Sequence, residues 1–164
     1  NWLLSYSLYA EKLGEYWDNI YDGEWSVLRT EAMSILEEED RLREIVRLVG
    51  IDALSRQERM VLETAKSLRE DFLHQNAYHE VDTYASMDKQ FKMLRNIIHF
   101  HHLCQNALER GATIQEINAL PVRDLIARMR YEDEKELKRI DELLPVMKEE
   151  VDRLLSEGGM GDVA

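Results

Sequence analysis

From Trp25 to Val49 the residues Trp25, Leu28, Ala32, Ile35, Leu42, Val46 and Val49 return every three or four positions, apart from one longer gap, and similar spacing recurs along most of the chain. That spacing places apolar side chains on one face of an α-helix, whereas a strand would alternate every second residue. No convincing alternation and no internal repeat is present, so the sequence predicts an all-α fold. Only 7 glycines and 2 prolines interrupt 164 residues, which leaves few breaks and little room for linkers. A chain of this length buries roughly two-thirds of its unfolded surface, enough for a compact helical bundle.

The breaks divide the pattern. Trp2, Tyr6, Tyr9, Leu13, Tyr16 and Ile20 mark a first helix, ended at Asp22-Gly23. A second runs from Trp25 to Val49. Glu39 falls where its stripe calls for a core residue, and the cluster Glu37–Asp40 reads as a solvated face in preference to a bend. Gly50 is placed for a left-handed cap. Ser55 with Glu58 forms a capping-box pattern opening a third helix, with Val61, Ala65, Leu68 and Phe72 on its buried side. A loop, "HQNAYHEVDTYAS", comes next, without clean period. Ser86 caps a fourth helix through Phe91, Leu94, Ile98 and Leu108, which Gly111 closes. Thr113 and Glu116 form another capping box, and Pro121 suits the first turn of the next helix. Leu137, Ile140, Leu144, Met147, Val151 and Leu154 line a last helical run, in which Pro145 should force a kink or break. These segments predict a helical domain over 1–110 with a protruding helix–turn–helix, additional C-terminal helices over 111–156, and a frayed tail over 157–164.

Charge and motif content narrow the chemistry. The net charge of −12, from 21 basic and 33 acidic residues, repels phosphate backbones, and no basic patch offsets it, so no nucleic acid partner is expected. No apolar run approaches the ~20 residues that span a bilayer, so no direct membrane insertion is expected. The chain starts at Asn1, already in helical pattern, and reads as a fragment of something longer. Its single cysteine, Cys104, has no internal partner, fits a reducing compartment, and lies on an apolar face where it should be inert. The phosphate loop GxxxxGK[ST], GxGxxG and HExxH are all absent. A di-iron bundle needs two Glu-x-x-His pairs, and the chain offers only Asp71-x-x-His74. In "HFHH", His101 falls on the Leu94/Ile98 stripe as a core histidine while His99 and His102 look outward. The residues therefore predict neither a catalytic centre nor a metal site.

The stretch "IVRLVGIDALSRQERMVLETAKSLREDFLHQNAYHEVDTY" resembles the carboxy-terminal helical domain of rotary ATPase catalytic subunits. Gly50, Asp52, Leu54 and Ser55 match the F-type helix–turn–helix motif "I-L-G-M-D-E-L-S-E-E-D". Phe72, Leu73 and Gln75 match its "F-L-S-Q-P-F". "NWLLSYSLY" and "LREIVRLVG" are similar to the A subunits of archaeal-type and vacuolar-type ATPases. The resemblance covers essentially the whole chain, most securely Asn1 to about Leu108. It departs from the F-type loop in charge: Arg56-Gln57-Glu58-Arg59 replaces an acidic run, which implies contact by shape and backbone in place of a block of negative charge.

The resemblance implies a lever. In that family a preceding nucleotide-binding domain carries the phosphate loop and binds ATP or ADP with Mg, and the helical domain swings with it against a central shaft, coupling hydrolysis or synthesis to rotation and ion transport. It assigns rotor contact to Gly50, Ile51, Asp52, Ala53, Leu54, Ser55, Arg56, Gln57, Glu58 and Arg59. It assigns Tyr78 and Tyr84 to an adenine pocket. The implied partners are the central-stalk rotor subunit and neighbouring B subunits of an alternating ring, in a cytoplasmic head peripheral to the membrane. With no phosphate loop, this stretch alone should bind no cofactor and be inactive. The competing reading is a stand-alone acidic helical interaction module that docks through the Leu137–Leu154 stripe.

Overall fold

The computed structural model describes residues 19, 21, 23–73 and 85–161, with backbone alone over 159–161. The first predicted helix apart from Asn19, the segment holding Tyr78 and Tyr84, and residues 162–164 lie outside them. The described residues are helical and contain no strand, as the spacing predicts.

Helix α1 (Glu24–Val49) runs unbroken through the acidic cluster. It buries Trp25, Leu28, Ala32, Ile35, Leu36 and Leu42. Glu39 is the correction: only 3% of its side chain is exposed, and Arg69 Nη2 lies 2.7 Å from its carboxylate. The stripe position is kept, but a paired charge fills it. Gly50 ends α1 with φ 92° and ψ 165°, not in the left-handed helical region expected. This region is essentially closed to residues with a Cβ. It turns the chain sharply into a 3₁₀ turn, Ile51–Ala53. Val49, assigned to the stripe, is exposed because α1 has by then outrun its neighbours.

Helix α2 (Arg56–Ser67) returns alongside α1 and opens with the predicted capping box. Beyond Ser67 the chain widens into a π-helical segment, Leu68–Leu73, which the spacing offers no reason to expect. Helix α3 (Met87–Glu109) starts at the Ser86 cap. It ends in a Schellman motif: Ala112 N–H bonds to the Ala107 carbonyl at 3.0 Å and Gly111 N–H to Leu108 at 3.2 Å. Gly111 supplies the required positive φ of 109°.

The remaining helices are short until the last. They are α4 (Ile114–Asn118), opened by the Thr113–Glu116 capping box, α5 (Val122–Arg128) just after Pro121, and α6 (Lys138–Asp141). Helix α7 (Leu143–Gly161) begins two residues before Pro145. The break expected from this proline therefore falls at Glu142, which removes the clash of the ring with a continuous helical turn and places the missing N–H in a first turn. This last helix continues to Gly161.

Helix α3 is the axis of the core. It packs against α1, α2, α6 and α7 and buries a broad face, from Phe91 and Leu94 to Cys104 and Leu108, while Asp88, His102, Asn106 and Glu109 line a stripe that faces solvent. Three buried polar groups on it tie neighbouring elements down. The Lys89 ammonium donates to the carbonyls of Arg130 at 2.5 Å and Glu132 at 2.8 Å, stapling the 3₁₀ turn Met129–Tyr131. Asn96 Nδ2 donates to the Ile140 carbonyl at 2.7 Å, beside the break ahead of α7. His101 Nδ1 pairs with the Thr64 hydroxyl of α2 at 2.5 Å. His101 is thus the core histidine predicted, whereas nothing in the local sequence signals that Lys89 is buried.

These buried groups should be measurable in stability. Lys89→Met leaves two part-buried carbonyls without the ammonium that bonds them, so chemical denaturation should show a loss of about 2–4 kcal/mol. Burial, with a smaller contribution from His102, lowers the His101 pKa from 6.5 to about 4. The unfolded chain therefore takes up this proton at a higher pH than the folded one. Stability from this residue is complete above 6.5 and declines as pH falls towards 4, by at most about 3 kcal/mol. Denaturation midpoints of His101→Gln should accordingly vary less than wild type between about pH 7 and pH 4.5.

Candidate functional site: the helix elbow

The elbow between α1 and α2 combines a rigid frame with an apolar, uncovered tip. Its frame begins at Leu54, which is buried and anchors the turn to the core side. Ser55 and Glu58 cap each other: Glu58 N–H bonds to Ser55 Oγ at 3.1 Å, and Ser55 N–H to the Glu58 carboxylate at 3.0 Å. The Ser55 backbone bond leads the interactions that hold Glu58 below the usual carboxylate range. Arg59 reaches back to Asp52 at 3.3 Å, and Arg41 of α1 bridges to Glu58 at 3.4 Å. From α3, Gln105 Nε2 donates to the Gln57 carbonyl at 3.0 Å, and Arg56 Nη1 donates to the Ala112 carbonyl at 3.4 Å. The first turn of α2 is therefore tied to α1, to α3 and to the chain beyond α3.

Above this frame, Leu48 is 66% exposed, Val49 69% and Ile51 44%, and the Asp52 side chain is 98% exposed. Among the described residues, five large apolar side chains are exposed, and three of them are here; the other two are Val27 and Leu125. An apolar cluster concentrated at a turn marks an interaction surface, where scattered single residues would not. The sequence-predicted set Gly50–Arg59 is brought together as one capped turn. Leu48 and Val49 were missing from it. A signal was available: "RLVGIDAL" carries more apolar residues around its glycine than one helical face can bury.

The other sequence candidates offer little chemistry. His101 is buried against Thr64, and His102 is exposed and pairs with Glu31 of α1, so the two rings serve different helices. Among the described residues no group of three His, Cys, Asp or Glu side chains could hold a metal. Burial pushes the Cys104 thiol up to about 12, which keeps it protonated. A cavity of about 30 Å³ lies under the π-helical segment between Thr64, Ser67, Asp71 and Ile126, room for a water and far less than a purine requires. No described helix is long and apolar enough to cross a membrane.

Comparison with known proteins shows the family. A family model described as the C-terminal domain of V and A type ATP synthase matches residues 14–118, a span that includes α1, the elbow, α2, α3 and α4. The V-type ATP synthase alpha chain of Clostridium perfringens strain SM101 is 54% identical over 160 residues, which is 98% of this chain and 27% of that protein. The V-type ATP synthase alpha chain of Clostridium botulinum strain Okra is 52% identical over 160 residues, with the same coverage. The chain spans about a quarter of the length of these curated relatives. The chain belongs to the family of C-terminal domains of V- and A-type ATP synthases.

Proposed function

We infer that this chain is the helical arm of a catalytic A (alpha) subunit, and that its elbow bears on the central-stalk rotor of a V/A-type ATP synthase. The observation that carries this reading is the elbow itself: an exposed tip, apolar at Leu48, Val49 and Ile51 with Asp52 beside them, mounted on a turn capped and braced from three sides. A turn that presses on a moving partner must resist bending, or the displacement is absorbed before it reaches the shaft. Similarity to alpha chains over 98% of the sequence favours this reading over a stand-alone interaction module.

ATP or ADP with Mg would bind the preceding part of the full-length subunit. Closure around nucleotide would swing the arm, and rotation would couple to ion transport by membrane subunits. Neighbouring B subunits of the ring and the rotor are the partners, in a cytoplasmic head peripheral to the membrane. The contact set is Gly50 to Arg59, widened to Leu48 and Val49. Its apolar tip and mixed charge suit docking by shape. Alone, the arm carries no phosphate loop and should not hydrolyse ATP.

Tyr78 and Tyr84 are proposed as aromatic walls of the adenine pocket. Stacking on aromatic rings is worth roughly 1–3 kcal/mol per base in single-stranded nucleic acid, and the same order is expected here.

Asp52→Cys is the cleanest probe of the elbow, because it leaves the Ser55–Glu58 cap intact. In the assembled complex under oxidising conditions, with a cysteine on the facing shaft surface, it should crosslink to a shaft subunit. Failure with every shaft position would remove the elbow from the rotor. For the pocket, Tyr78→Ser in the holoenzyme should raise the apparent nucleotide KM about fivefold or more, as lost stacking predicts. An unchanged KM together with unchanged nucleotide affinity would take Tyr78 out of the pocket.

A further inference from the structure

Glu39 is a carboxylate at a core position. It lies on the buried face of α1 with Leu36 and Leu42, and of the ion pairs among the described residues its own have the most buried carboxylate. Arg69 Nη2 meets it at 2.7 Å from across the hairpin, and Arg43 Nε approaches to 3.7 Å along α1. The pair lies about 16 Å along α1 from Gly50, at about 1.5 Å per residue, and joins the middle of α1 to the segment that follows α2. Arg41, two residues further along α1, reaches the first turn of α2 through Glu58.

An apolar pair at this site would hold the fold at least as well, because desolvating two charges offsets most of their attraction. What the ion pair adds is geometry. The charge-assisted bond from Arg69 Nη2 to the Glu39 carboxylate is directional, whereas two aliphatic chains slide over each other. The site also matters: Arg69 belongs to the π-helical segment Leu68–Leu73, whose wider turn changes which face each later residue presents. The next residue of that segment is held as well, since Arg130 donates to the Glu70 carbonyl. The segment is thus fixed from α1 on one side and from the turn after α5 on the other.

We propose that the Glu39–Arg69 ion pair is a positioning clamp that makes α1 and α2 swing as one lever, so that motion at the root of the arm reaches the elbow without slip. This rests on the reading of the elbow as a rotor contact. Glu39 and Arg69 touch no nucleotide. They act on the arm's geometry, and their loss should uncouple transport from hydrolysis.

The test uses the assembled enzyme in ion-tight vesicles, with ATP hydrolysis and ATP-driven ion transport measured on the same preparation. The double variant Glu39→Leu/Arg69→Met fills the site with apolar groups. It should keep its thermal midpoint and hydrolyse ATP within about twofold of wild type, while ions moved per ATP fall about fivefold. Glu39→Gln should change the ratio in the same direction. If the double variant does not assemble, Arg69→Lys decides, since it keeps the charge and loses the donor at the Nη2 position: a partial fall in the ratio supports the clamp. An unchanged ratio in whichever variant assembles, or hydrolysis and transport falling in parallel, overturns it. The Asp52→Cys crosslink separates the two levels. A crosslink with an unchanged ratio rejects the clamp alone, and no crosslink rejects the rotor reading beneath it.

Discussion

Packing of α3 against four other helices is the constraint from which the rest of this fold takes its position. A helix with a single neighbour can rotate or slide against it. One packed by α1, α2, α6 and α7 together cannot, because each shift opens a void against some partner. Its polar residues then turn packing into registration. Lys89 fixes the turn after α5, Asn96 the break before α7, and His101 and Gln105 fix α2. The α1–α2 hairpin is consequently referred to a stiff axis over much of its length, and the elbow projects from it.

That arrangement explains how an exposed apolar tip coexists with a well-defined turn. Leu48, Val49 and Ile51 gain nothing from the core, so their positions depend on the backbone that carries them. Gly50 sets the bend through a conformation that a Cβ would obstruct. The Ser55–Glu58 cap, Leu54 and the bond from Gln105 then hold the first turn of α2 in place. Stability is concentrated in the frame, and the tip is left uncovered for a partner.

Most of the helical layout was legible because it depends on local rules. Periodicity located α1, α2 and α3; Ser55, Ser86 and Thr113 marked helix starts through their own side chains; Gly111 marked an end. The misreadings share a different cause. Glu39 looked like part of a solvated acidic face because sequence shows a charge but not the Arg69 that arrives from 30 residues away. Lys89 was invisible for the same reason, its carbonyl partners lying 41 and 43 residues on. The π-helical segment left no trace, since one widened turn barely disturbs a count of threes and fours. At the elbow, resemblance supplied the turn Gly50–Arg59, but exposure of Leu48 and Val49 depended on where α1 outruns its neighbours. The aromatic pair Tyr78 and Tyr84 falls outside the described residues, and its role stands on resemblance alone.

Structures of the whole rotary complex in two nucleotide states would test the central claim most directly. The account predicts residues 48–59 in contact with the central shaft in at least one state, with α1 and α2 superposing on each other unchanged between states. An elbow directed into solvent in every state, or an α1–α2 angle that changes as the arm swings, would contradict it.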